Sequence, residues 1–157
     1  TINGRAFWRI QINGQVMGES DIYAAAGAEQ GTPLWLVSGD DCLKKWIGEY
    51  YPSVEYVQVK RAISQTSAES LSPEMARTAI REAAEHAVKR ADLKSTTLLT
   101  TPYQLRLQAS KPVLADLFSL IPGVERIDAV TVGYQADRMA TIISLLSAFS
   151  YLATTQH

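Results

Sequence analysis

The sequence predicts an α/β fold, a layered mixed sheet with helices on its faces, and three observations predict it. Strict apolar–polar alternation marks residues 7–12, 54–59 and 103–109 as strands with one buried face. Small apolar residues keep helical spacing from Ala76 through Ala79, Ile80, Ala83, Ala84, Ala87 and Val88 to Ala91. A continuous apolar run, Pro33-Leu34-Trp35-Leu36-Val37, precedes a helical segment and then an alternating one. That order, within about 30 residues, is a strand–helix–strand unit with parallel strands.

Taken in order, the first strand puts Trp8, Ile10 and Ile12 on one face and Arg9 and Gln11 on the other. Asn13-Gly14 follows, the strongest short hairpin signal, and residues 15–17 form the return strand. Residues 20–30 are rich in alanine and stop at Gly31, as a closely packed helix would. The run at 33–37 reads as a strand covered on both faces. Ser38-Gly39-Asp40-Asp41 breaks it and opens a helix through Tyr50, with Asp40 or Asp41 as its cap. Residues 54–59 give the next strand. Ser72-Pro73-Glu74 starts a helix over 73–91, with serine as cap, proline at the first helical position and an acid at the positive dipole end. A strand at 103–109, a short helix at 111–120, a strand at 127–134 and a closing helix at 136–152 complete the chain. The polar stretch 91–101 is the expected seam, which divides residues 1–95, a larger α/β part with the parallel unit, from a smaller α/β lobe at 96–157.

Composition excludes several function classes. The chain has 157 residues, of which 46% are hydrophobic and 20% charged, an ordinary globular balance. A net charge of −1 argues against a nucleic-acid module. One cysteine, Cys42, cannot form an internal bridge, and it reads as a small core residue in a reducing compartment. The longest apolar stretch, 139–153, is too short to span a bilayer. A soluble, cytoplasmic protein that binds neither nucleic acid nor membrane is expected.

Chemistry is scarce. His86 falls on the polar side of its helix, His157 is the last residue, and no His, Cys, Asp and Glu set has zinc spacing. Neither a Ser–His–Asp nor a Cys–His arrangement is supported. Three features remain. Asp40 and Asp41 sit at the carboxyl end of a strand, where ligand sites of open α/β sheets gather, or cap the helix after it. Glu19 sits where the hairpin returns into a helix, as a site residue or simply as an acid favoured at a helix N-terminus. Thr1 is the third. A threonine with a free α-amine combines nucleophile and base, because the amine, with a pKa of about 7.7–8.0, can take the hydroxyl proton. A chain opening Thr1-Ile2-Asn3-Gly4 is either a trimmed fragment or the product of a cut before Thr1.

The order Ile12-Asn13-Gly14-Gln15-Val16-Met17-Gly18-Glu19, the alanine-rich helix, Pro33 to Asp41 and Val57-Gln58-Val59-Lys60-Arg61-Ala62-Ile63 resembles the DppA-type D-aminopeptidases. Ser70-Leu71-Ser72-Pro73, Pro122-Gly123 and Val130-Thr131-Val132 continue the likeness over essentially the whole chain. The resemblance is to the carboxyl-terminal part of that family. It implies a DppA-like fold completed by a missing amino-terminal chain, rings of subunits, a pair of zinc ions, and cleavage of short peptides at an amino-terminal D-residue. Glu19 matches a glutamate metal ligand, and Thr1 falls where the family has an active-site histidine.

That departure makes an amide-bond hydrolase matured by autoproteolysis the leading expectation. Thr1 is its nucleophile, and Glu19 orients the Thr1 amine or a substrate ammonium. Asn3 is a candidate near the oxyanion, and Asp40 and Asp41 lie behind the site or against the partner chain. Its partners are an amino-terminal subunit of the same precursor, a homo-oligomeric ring of such pairs, and a small peptide or amide substrate. No cofactor is then needed. The alternatives are a zinc-dependent D-aminopeptidase fragment with Glu19 on the metal, and a non-catalytic subunit that scaffolds a ring.

Overall fold

The computed structural model describes residues 2–64, 66–90 and 99–156. In chain order its elements are β1 (Phe7–Ile12), β2 (Gln15–Val16), α1 (Glu19–Glu29), β3 (Leu36–Gly39), α2 (Asp41–Tyr50), β4 (Glu55–Gln58), β5 (Lys60–Ala62), β6 (Ala68–Ser70), α3 (Pro73–Lys89), β7 (Tyr103–Ala109), α4 (Pro112–Phe118), β8 (Glu125–Arg126), β9 (Thr131–Ala136) and α5 (Met139–Ala153). Two compact units divide them, Thr1–Gly31 with Thr97–His157, and Thr32–Thr96. The expected partition into 1–95 and 96–157 is therefore replaced. Its first strand, β1, pairs with β7, so the two ends of the chain share one sheet. Most of the expected seam, 91–98, lies outside the described residues.

The first unit is an antiparallel sheet in the order β2-β1-β7-β9-β8. Its hairpin turn is the predicted one: Asn13 and Gly14 have φ of 51° and 80°, the left-handed pair that this turn requires and these residues tolerate. Asn13 also clasps the approach to β7, donating to Thr100 O at 2.6 Å and accepting from Gln104 N–H at 2.7 Å. Ile10, Ile12, Leu105, Leu107 and Val132 of the sheet are buried with Ile22 of α1, Phe118 of α4, and Ile142, Leu146 and Phe149 of α5. Phe118 stacks on Phe149 at 4.3 Å, and Phe7 meets Phe118 edge-on at 6.2 Å. Each such side chain contributes roughly 1.5–3 kcal/mol on burial. The alanines of α1 do what small residues allow: Ala24, Ala25 and Ala28 are buried, and α1 packs on α5.

Strand β1 breaks its expected alternation. The register shifts between Phe7 and Arg9, a bulge that turns Trp8 out, so it is 75% exposed while Phe7 is buried. Residues 127–134 are likewise not one strand. The Asp128 carboxylate accepts from the N–H groups of Val130 and Thr131 at 2.9 and 2.8 Å and folds the segment into the β8–β9 turn.

In the second unit β3 and β4 are parallel, from Leu36 opposite Glu55 to Gly39 opposite Gln58, with α2 between them in sequence. The order strand–helix–strand is as predicted, but β3 starts at Leu36 and runs through Ser38 and Gly39, where a break was expected, and it is only half-buried rather than covered on both faces. A short hairpin, β5–β6, follows with every residue of both strands exposed and Arg61 paired to Glu69 at 2.8 Å. Helix α3 starts as its sequence requires: Ser72 Oγ accepts from Met75 N–H at 3.2 Å and Pro73 opens the first turn. His86 is exposed on α3 and bonds through Nδ1 to Glu55 Oε2 at 3.1 Å.

Candidate functional site

Glu19 begins α1, and the residue before it, Gly18, has no side chain to cap the helix. Asp21 ties the helix start instead. Its Oδ2 accepts from Gly18 N–H at 2.7 Å in a nearly sealed position, 4% exposed. Glu19 is exposed in the same first turn and makes no hydrogen bond or ion pair with a described residue. Asp21, not Glu19, makes the side-chain bond at the helix start. The Glu19 carboxylate is left uncommitted at the positive end of the helix dipole. Asp21 is hard to find by sequence because glycine stands where the capping box has Ser or Thr; the Gly18-to-Asp21 spacing was the available signal.

Asn3 belongs to the same unit, and its oxygen is already used. Oδ1 accepts from Arg5 and Ala6 N–H, both at 3.2 Å, and its main-chain carbonyl accepts from Phe7 N–H at 2.9 Å. This turn launches β1. Thr1 lies outside the described residues, as does His157.

The Ser38-Gly39-Asp40-Asp41 motif belongs to the second unit and is a structural junction. Asp40 caps α2, with Oδ1 accepting from Leu43 N–H at 2.8 Å. The Tyr56 hydroxyl donates to the main-chain carbonyl of Asp40. Burial first, then the charges of Asp40 and Asp41, push that phenol up to about 12. Asp41 Oδ1 accepts from Ala62 N–H at 2.8 Å, and this bond above all holds its carboxyl below the ordinary aspartate value. Gly39 makes the close approach possible, since a Cβ there would lie 2.8 Å from Leu43 Cδ2 and 2.9 Å from the Tyr56 hydroxyl.

Asp40, Asp41 and Cys42 could each offer one ligand atom within 4.8 Å of the others, yet one oxygen of each carboxylate is spent on a backbone N–H. Cys42 is exposed rather than in the core. Ile47 is the buried residue of α2, with Leu43 and Trp46 half-buried beside it. Cys42 lies one turn before Trp46, at the edge of that stripe and about 100° around the helix from Leu43.

Comparison with known proteins fixes the setting. Residues 1–148 match the Peptidase_M55 family model, described as D-aminopeptidase. The chain belongs to that family. It is 28% identical over 144 residues to the D-aminopeptidase of Bacillus subtilis (strain 168), covering 90% of this chain and 52% of that protein. A solved structure described as the Zn-dependent D-aminopeptidase DppA from Bacillus subtilis, a self-compartmentalizing protease, superposes with a TM-score of 0.84. Its identity is 25%, over 95% of this chain and 55% of that one. The chain spans about half the length of the relatives it matches. The α/β expectation and the family resemblance both hold. The threonine nucleophile and the cut before it gain nothing from these relatives, one of which is described as zinc-dependent.

Proposed function

We propose that this chain is the carboxyl-terminal part of a zinc-dependent D-aminopeptidase, hydrolysing short peptides at an amino-terminal D-residue, with Glu19 as one metal ligand. The observation that carries the reading is the uncommitted Glu19 carboxylate in the Gly18-Glu19 pair of a D-aminopeptidase family member. This reading replaces threonine catalysis as the leading one because the zinc-dependent relative supports it, whereas Thr1 lies outside the described residues.

Glu19 fits one zinc position by its chemistry: an exposed carboxylate oxygen free of other bonds to described residues. Zinc is usually held by several side chains, so other ligands come from outside the described residues. When bound, the metal polarises a peptide carbonyl and makes a water molecule acidic. This chain's own part is to hold one ligand in place. Asp21 anchors the start of α1 through Gly18 N–H, so the first turn that carries Glu19 has a fixed origin. The amino-terminal part of the protein supplies the rest of the site, and copies assemble into a ring, in keeping with the self-compartmentalizing relative.

The test uses the full-length protein, with bound zinc measured by elemental analysis and kcat/KM on a D-alanyl dipeptide. Glu19→Gln is expected to lower both, with kcat/KM falling on the order of 10²-fold or more, while circular dichroism stays unchanged. Full zinc content and full activity in Glu19→Gln would overturn the assignment and favour a scaffold role for this part of the chain.

A further inference from the structure

We propose that the first unit carries an oxyanion site, a cavity that takes a phosphate or carboxylate group between Arg5 and Lys111. It lies where the turn before β1, the start of α4 and the end of α5 meet, and its volume is about 190 Å³. At about 30 Å³ per water molecule, that is room for a tetrahedral oxyanion with part of its hydration.

The backbone brings the two cations together. Ser110 N–H donates to Ala6 O at 2.9 Å, and Ser110 Oγ donates to Arg5 O at 2.6 Å. Residues 5 and 111 are therefore held next to a bonded junction. No acidic residue among those described lines the cavity, and neither Arg5 nor Lys111 forms an ion pair with a described residue. The carboxylate of α4, Asp116, is engaged with Arg126 at 2.7 Å.

The negative end of α5 offers another explanation for two cations at this place. Two of its last carbonyls are served by side chains. Thr154 Oγ1 donates to Tyr151 O at 2.7 Å and Thr155 Oγ1 to Leu152 O at 2.8 Å. Ser150 also lines the cavity, but its Oγ is sealed from solvent and offers an entering anion no contact. Arg5 and Lys111 are exposed and solvated in the free protein, and an anionic oxygen group entering the cavity exchanges that water for charge-assisted hydrogen bonds with no carboxylate competing.

Inorganic phosphate and acetate are the probes, titrated separately into the full-length protein at constant ionic strength set with sodium chloride. Binding is read by calorimetry and by the rise in Tm. A saturable response is expected from phosphate, and the Arg5→Gln/Lys111→Gln double variant should raise the half-saturating concentration at least tenfold. Each single variant should raise it less. Arg9→Gln, which removes an exposed cation of β1 outside the cavity, should leave it unchanged. A response to phosphate alone assigns the site to a phosphate group, and a response to acetate as well assigns it to carboxylates. The proposal is overturned if neither anion saturates, if the double variant responds like the parent, or if Arg9→Gln weakens the response equally. Glu19 does not line this cavity, and the same titrations on Glu19→Gln separate the cavity from any anion held at the zinc, since the response of the cavity should survive that change.

Discussion

At the scale of single residues, adjacent positions carry opposite consequences. Phe7 is 3% exposed and Trp8 75%, although the unbroken alternation would have buried the indole. Phe7→Ala should cost about 3–5 kcal/mol, and Trp8→Ala should stay within about 0.5 kcal/mol of the parent, both measured by urea denaturation. Gly39 is a second test. The space its Cβ would enter is filled by Leu43 and the Tyr56 hydroxyl, so Gly39→Ala should destabilise by about 1–3 kcal/mol with the fold retained. The site residues were legible to different degrees. Asp40 as a cap follows from its own chemistry, because a carboxylate before a helix finds N–H groups that need an acceptor. Glu19 was legible only through family likeness, since nothing local tells a free acid in a first turn from one that serves the helix dipole.

Among elements, the sequence spoke clearly where a local rule acts alone. Asn13-Gly14 fixes its turn, Ser72-Pro73 starts α3, and β7 alternates over its full length against β9, with which it pairs without a shift. It was silent on β5 and β6, three-residue strands with every residue exposed, where no buried face imposes a pattern. It misread 127–134 because alternation of types continues across a turn that a side chain creates. That side chain gives a pH test. The N–H of Val130 is the main cause holding the Asp128 carboxyl below the ordinary aspartate range, with Thr131 adding to it. A lowered folded pKa means the stabilisation is present above the unfolded value and disappears as pH falls through the folded one. Protection of the Val130 and Thr131 amides, their exchange relative to the intrinsic rate at each pH, should therefore fall only on acidification below the ordinary aspartate range, and Asp128→Ala should show the low protection at neutral pH.

For the whole molecule, the two units differ in how much they bury. The first holds the Phe7–Phe118–Phe149 cluster and the apolar faces of three strands, whereas in the second Ile47, Val57 and Ala87 are the buried apolar side chains among the described residues. Amides of β7 and β9 should thus outlast those of α2, α3 and β4 in native-state hydrogen exchange. Equal protection throughout would mean that the second unit draws stability from outside itself. The Asn13 clasp has a last consequence. It joins two residues 91 positions apart, Asn13 and Gln104, so the central sheet cannot close while only its opening hairpin has left the ribosome. The strand that hairpin needs is synthesised after the entire second unit. Shortening or replacing residues 32–96 should change the rate at which the ends meet only gently, since loop entropy grows with the logarithm of length. Permuting the chain so that β7 directly follows β2 should speed that meeting far more.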